Sequence, residues 1–340
     1  MARSGENSIM AETNPSCLVL GATGFIGGHI ARLALESGYL VRSFRRNPDS
    51  TGHIGDIPIQ WYNGNLTDFE SLLNAMQGVD VVFHAAAFYP TSSKPDEVTN
   101  QVAYAVDEIE RVLKAARQAN IGRFIYTSSL TTVGHPPKGQ KRLADENDYY
   151  IPGTLGKSAY YESKIAMETR VLEAARAGFP AVVVNPTAVF GPGDVHLTLG
   201  KILFAIKHGY AIAWIPATTN VVDVRDVAIG HLFAAQKGRF GERYILGGYN
   251  MSIKTIIDIV SCQFKVHPPR FEISIKTIQR LVNLVDHIPF LSTGNHMRAI
   301  PLWQSYNTEK AENELGLTHR PFEQTVQDAM TWFRENGNKV

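Results

Sequence analysis

Cysteine is nearly absent from this sequence: Cys17 and Cys262 are the only two, at opposite ends of the chain. That excludes a CxxC metal site and a disulfide framework, and Cys17, which opens an apolar run, reads as a small core residue. A charge excess is missing as well. With 33 Lys plus Arg against 32 Asp plus Glu the formal net charge is +1, so no global basic field exists to hold nucleic acid or an anionic membrane. No apolar run reaches the length of about 18 residues that a membrane helix needs, because Lys201, Lys207 and His208 interrupt the stretch from Leu199 to Trp214. The segment from Met1 to Pro15 lacks the apolar core of a signal peptide. It is expected to be a short disordered leader (1–15) on a cytoplasmic protein. His135, His196 and His208 share no HxxH or HExxH spacing, so no metal is expected. Internal repeats and low-complexity tracts are also lacking.

What is present is an alternation. Short apolar runs at Cys17–Leu20, Leu40–Arg45, Ile59–Tyr62, Val79–His84, Arg123–Ser129 and Ala181–Val184 alternate with longer helical stretches. Near-continuous Val, Ile, Leu and Phe in these runs marks strands covered on both faces. The expected fold class is therefore α/β, a doubly wound parallel sheet. After Pro186 prolines divide the chain into short pieces, with helices expected at Asp226–Gln236, Ser252–Phe264, Thr308–Leu315 and Phe322–Glu335. The loops between them look too irregular to add a second sheet. The division expected is a dinucleotide-binding domain over 16–190, with returns to about 250, and a smaller, irregular C-terminal substrate lobe over 191–340.

Three segments carry chemistry. Gly21-Ala22-Thr23-Gly24-Phe25-Ile26-Gly27 follows the first strand and opens a helix. Glycines so spaced let the backbone approach a pyrophosphate, whose charge the helix N-terminus stabilises. The second strand ends in Arg45-Arg46, where an NAD site usually places a carboxylate for the ribose diol. A guanidinium pair suits the 2′-phosphate of NADP, with NAD the lesser expectation; the competing reading is two solvated arginines. Tyr160 and Lys164 lie four apart and share a helix face. Tyr306 and Lys310 repeat that spacing, but only the first pair follows a strand ending in hydroxyls, Thr127-Ser128-Ser129.

Glycine loop, hydroxyl-tipped strand and Tyr with Lys, in that order, resemble the extended short-chain dehydrogenase/reductase superfamily, from Cys17 to about Gly248. Thr127-Ser128-Ser129, Asn185-Pro186-Thr187, Gly191-Pro192-Gly193-Asp194 and Gly241 to Gly248 are similar to its dihydroflavonol-reductase-like and hopanoid-associated sugar epimerase branch, within the NAD-dependent epimerase/dehydratase family. The resemblance implies a Rossmann fold and the catalytic triad Ser129, Tyr160 and Lys164. It also implies cofactor contacts from Asn65 and Leu66 at the adenine, from Ala85, Ala86 and Ala87 beneath the cofactor, and from Thr127, Pro186, Thr187 and Val189 near the nicotinamide. Two departures stand out. Ala105 occupies the place of an asparagine that supports the lysine, and Thr219 that of an arginine found in nucleotide-sugar epimerases.

These readings combine into an NADP-dependent oxidoreductase moving hydride between nicotinamide and a carbonyl or secondary alcohol of a small molecule. Ser129 would stabilise the developing oxyanion and Tyr160 protonate it. Phe88, Tyr89, Thr131, Asn185, Phe190 and Trp214 are expected around the substrate. The alternatives are a nucleotide-sugar epimerase or dehydratase, which Asn185 near a diphosphate would suit, and a non-catalytic NADP-binding sensor or assembly factor. A homodimer is expected through Glu97–Asn120 and Ser158–Ala177, the first with an apolar stripe of Val102, Val106, Ile109 and Leu113.

Overall fold

The computed structural model describes residues 14–86, 90, 95–155, 158–195, 199–285 and 300–336. Most of the leader, together with Ala87, Phe88, Tyr89 and His196, lies outside the described residues. Seven strands form one parallel sheet: β1 (Ser16–Leu20), β2 (Leu40–Arg45), β3 (Gln60–Asn63), β4 (Val81–His84), β5 (Arg123–Thr127), β6 (Ala181–Pro186) and, from further along the chain, Arg243–Leu246 (β10). Their order is β10-β6-β5-β4-β1-β2-β3. The chain order reverses between β1 and β4, which opens a crevice at the carboxyl ends of those two strands.

Alternate residues of each strand enter two cores. Cys17, Val19, Phe83, Val182 and Val184 pack under α1 (Phe25–Glu36) and α6 (Val224–Lys237). Leu18, Leu20, Val82, Phe124 and Val183 pack under α2 (Phe69–Met76), α3 (Pro95–Gln118) and α4 (Ala159–Arg176). Burial pushes the Cys17 thiol up to about 12, so the residue is an inert core member. Ile109 and Leu113 belong to the second core. At least that half of the expected dimer stripe packs inward against the sheet.

The region after Pro186 contains more regular structure than the sequence suggested. A three-stranded sheet joins β7 (Ala188–Phe190), β9 (Thr218–Asp223) and β11 (Tyr249–Ser252), and β8 (Ala213–Trp214) pairs with β12 (Phe271–Glu272). These strands have two to six residues, too short to show a clear period. With α5 (Gly200–Lys207), α7 (Ile253–Phe264) and the C-terminal helix α9 (Phe322–Glu335) they enclose a third core around Phe190, Leu203, Val221, Val260 and Phe333. An eighth helix, α8 (Ile275–Val285), lies between β12 and α9 in the chain. The helix expected at Thr308–Leu315 is present over 309–315, Glu309 and Lys310 leading into a π turn at Ala311–Leu315.

Candidate active site

The glycine loop leaves β1 in a conformation that only glycine adopts easily. Gly21 has φ of +91°, and a Cβ there would stand 2.6 Å from the amide nitrogen of Ala86. A Cβ on Gly27 would stand 2.2 Å from the Gly21 carbonyl oxygen, so α1 is drawn tightly against the loop. Asp68, Ser158, Asp223 and Ser252 cap the helices that follow them with their side chains. Gly24, before α1, offers no side-chain cap, and the first turn of α1 has no acidic residue. Its leading amides are thus left for an anion, which fits the pyrophosphate of a dinucleotide. Thr23, Phe25 and Ile26 are half-buried beside this turn, and Ala85 and Ala86 form its opposite wall.

At the end of β2 the two arginines part company. Arg45 lies 4.7 Å over the Trp61 ring, donates from Nε to Asn63 Oδ1 at 2.9 Å and from a terminal nitrogen to the Ser50 carbonyl at 3.3 Å. Arg46 is exposed. The fork expected from both residues is thus one arginine fixed against β3 and one facing solvent. Asn65 is exposed and accepts from the Thr67 amide, while Leu66 is half-buried against the second core.

β5 ends at Thr127 rather than Ser129, because Ser129 caps a short 3-10 turn, Leu130–Thr132, its Oγ accepting from the Thr131 amide at 3.2 Å. That turn packs on α4, whose N-terminal turns carry half-buried Tyr160 and buried Lys164. The Lys164 ammonium donates to the Thr127 carbonyl at 3.4 Å and lies 5.9 Å from the centre of the Tyr126 ring. Burial lowers its pKa to about 8, against the opposing pull of Glu168 and then Glu108. Thr127 is held from behind: its hydroxyl donates to His231 Nε2 at 2.8 Å, while His231 Nδ1 donates to the Val227 carbonyl at 2.7 Å. That carbonyl fixes the tautomer, since it can only accept.

Asn185, expected near the substrate, turns its amide into the protein interior. It is fully buried, and its amide nitrogen reaches Ser129 O at 3.2 Å, Thr132 Oγ1 at 2.8 Å and Glu168 Oε2 at 2.7 Å. Thr132 Oγ1 in turn lies 2.7 Å from Glu168 Oε2, and Arg243, 1% exposed, ion-pairs with Glu168 Oε1 at 3.0 Å. This network braces the backbone of Ser129 from below. Sequence reasoning missed Thr132, Glu168, Arg243 and His231. The only available signal was the four-residue step from Lys164 to Glu168.

Phe190, expected near the substrate, is 4% exposed and packs edge-on to Phe322 inside the third core. Trp214 is half-buried against the same core. Thr131 is 7% exposed beside Ser129, Val189 is half-buried, and Pro186 and Thr187 are buried, with the Thr187 hydroxyl donating to Asn220 Oδ1 at 2.9 Å. Tyr306 sits in a separate small core and Lys310 is ion-paired to Glu242 at 2.6 Å, so the second Tyr and Lys pair is structural. Among the described residues no group of His, Cys, Asp and Glu is arranged to hold a metal ion.

Residues 17–247 match the model of the NAD dependent epimerase/dehydratase family. The chain is 33% identical over 332 residues to a putative dihydroflavonol 4-reductase from Synechocystis, covering 94% of each. It is 30% identical to sterol demethylase protein B of Methylococcus capsulatus, covering 94% of this chain and 98% of the relative. A crystal structure of a nucleoside-diphosphate-sugar epimerase from Pseudomonas aeruginosa superposes with a TM-score of 0.82 at 26% identity, covering 96% of this chain and 99% of the other.

Proposed function

This chain belongs to the NAD dependent epimerase/dehydratase family, an enzyme of the extended short-chain dehydrogenase/reductase type, and we propose that it is an NADP-dependent oxidoreductase reducing a carbonyl, or oxidising the matching alcohol, of a small molecule. The observation that carries this reading is the buried Lys164 ammonium on the same face of α4 as Tyr160, with Ser129 on the turn packed beside them. When bound, the nicotinamide supplies or accepts hydride at the substrate carbon.

The chain's own groups manage the oxygen. Ser129 donates a hydrogen bond to the substrate oxygen as negative charge builds, and Tyr160 delivers the proton. An unperturbed tyrosine titrates near 10, so poising it near neutrality takes about 4 kcal/mol of preferential phenolate stabilisation. The Lys164 cation, in a site that burial has stripped of water, contributes part of that. Ser129 keeps its position because the Asn185 amide reaches its carbonyl, while Thr132 ties the same turn to Glu168.

Names of relatives such as dihydroflavonol reductase and cinnamoyl-CoA reductase favour carbonyl reduction over epimerisation. The engaged amide of Asn185 removes the residue that had favoured a sugar diphosphate. Arg46 supports the choice of NADP, as the exposed guanidinium at the end of β2. Titrating NADPH and NADH against the wild type and Arg46→Ala tests this: NADPH binds at least about tenfold more tightly to the wild type, a charge-assisted contact contributing about 1.5 to 3 kcal/mol, and the gap closes in the variant. Equal wild-type affinities would contradict it.

The proposal extends to a cytoplasmic homodimer. Among the described residues no helix is long and apolar enough to cross a membrane. The outer faces of α3 and α4, where Tyr104 is 45% exposed and Arg170 pairs with Glu110 across the helices at 3.3 Å, support a two-fold contact better than the inward stripe does.

A further inference from the structure

Thr127 is the last residue of β5, and helices on opposite faces of the sheet take hold of it. The ladder between β4 and β5 ends one residue earlier, at the pair His84 and Tyr126. From α4, the Lys164 ammonium donates to the Thr127 carbonyl at 3.4 Å. From α6, His231 Nε2 accepts from the Thr127 hydroxyl at 2.8 Å, and the Val227 carbonyl, one turn earlier, fixes that imidazole through Nδ1 at 2.7 Å. Lys164, Thr127 and His231 are all buried. The helix that carries His231 is itself anchored: Asp223, which caps it, accepts from Thr325 Oγ1 at 2.8 Å, and Asp226 accepts from the Arg320 amide at 2.8 Å. The lysine contact is the sensitive link. At 3.4 Å it stands at the edge of hydrogen-bond reach, so a displacement of the carbonyl by a few tenths of an ångström removes it.

We propose that His231 is a positioning residue of the reaction, which through Thr127 sets the place of the Lys164 ammonium on the face of α4 that it shares with Tyr160. The inference rests on the assignment of Ser129, Tyr160 and Lys164 as the site. His231 donates no proton to a reacting group. Because the Val227 carbonyl can only accept, Nδ1 carries the proton and Nε2 is left to receive the Thr127 hydroxyl, which holds that side chain in one rotamer and with it the peptide that follows. Burial keeps the imidazole pKa down at about 4, so it stays neutral and sets no positive charge against Lys164. An apolar side chain in its place would fill the space and leave the Thr127 hydroxyl without an acceptor. The groups facing the Lys164 ammonium are Glu168 on its own helix, Glu108 on α3, His84 on β4 and the Tyr126 ring on β5. None of them is altered by a change at His231 or in the Thr127 side chain, so the titration of Lys164 reads the contact to the Thr127 carbonyl.

The test uses the full chain with His231→Phe, His231→Gln and Thr127→Val, the last of which keeps the side chain's shape and removes only its donor. In protein labelled with 13C-lysine, the ε-carbon signal of Lys164, assigned by its loss in Lys164→Met, reports the midpoint of its titration without cofactor. That midpoint falls by about half a pH unit or more in His231→Phe and in Thr127→Val, because the ammonium loses a hydrogen bond made to its charged form. With NADPH and a carbonyl panel, the same two variants lose about tenfold in kcat with KM within about twofold, and the double variant is no slower than the slower single one. His231→Gln, whose amide oxygen can accept from Thr127, recovers most of that loss. A Lys164 midpoint unmoved in Thr127→Val overturns the proposal, and so does a wild-type kcat in that variant or losses that multiply in the double one. Should His231→Phe fail to fold, Thr127→Val beside His231→Gln decides alone. Tyr160→Phe run alongside separates the failures: if it keeps wild-type turnover, the site assignment itself is wrong, whereas an inactive Tyr160→Phe beside a fully active Thr127→Val refutes only the role of His231.

Discussion

A lysine buried beside a tyrosine writes its titration into the rate. Because burial holds Lys164 at about 8, the cation that supports the Tyr160 phenolate is complete at neutral pH and is lost as pH rises through that value. The rate of carbonyl reduction should therefore fall above about pH 8, and a profile flat to about pH 10 would contradict the assignment. Tyr306→Phe should keep activity, since its hydroxyl reaches the Leu130 carbonyl at 3.4 Å and Gln304 within a separate small core; a loss of more than about tenfold would reopen the second Tyr and Lys pair. The Tyr160 and Lys164 pair was legible because a hydroxyl-tipped strand precedes it. What Arg45 does was not, because Asn63 lies 18 residues away on β3 and the pairing of β2 with β3 brings them together. Asn185 was misread for a similar reason: its partners Ser129 and Glu168 come from two other elements, and a single sequence does not show that a polar side chain points inward.

Strands and helices of the main sheet could be read from their apolar runs, and the first glycine turn from its place after β1. Gly21→Ala and Gly27→Ala should each destabilise the fold by about 1 to 3 kcal/mol and weaken dinucleotide binding, because loop and helix must move apart. Thermal unfolding and cofactor titration of the same variants measure both effects. The ion pair of Glu168 on α4 with Arg243 on β10 was illegible: a charge in a run of apolar residues looks like a solvated face until the fold buries it. Glu168→Ala should cost about 3 to 5 kcal/mol, since it strands a guanidinium that is 1% exposed. A change below about 1 kcal/mol in urea unfolding would mean that the pair does not brace the turn at Ser129.

The assembled chain should weaken in acid through its buried histidines. Burial holds His84 and His53 at about 3 and His231 at about 4, against about 6.5 when unfolded. Since the folded values are depressed, the unfolded chain binds more protons between them. Stability is fully present above about pH 6.5 and is lost as pH falls, by up to about 1.4 kcal/mol per pH unit for each histidine. Denaturant unfolding at pH 7.5 and 5.5 should show the loss, with a shallower slope in His231→Gln. Doubly wound topology followed from alternation alone, but β10 joining the main sheet and the small sheets of the lobe depend on pairing between distant segments, which short strands do not announce. In the proposed chemistry Tyr160 protonates a substrate oxygen while hydride leaves a nicotinamide. That step is tested most directly by mixing NADPH-loaded protein with a carbonyl panel and following loss of the cofactor's fluorescence in a single turnover, in wild type and Tyr160→Phe. Rapid loss is expected in the wild type with at least one carbonyl, and a rate lowered by about two decades or more in the variant, at unchanged NADPH affinity. Equal single-turnover rates in the two proteins would contradict it.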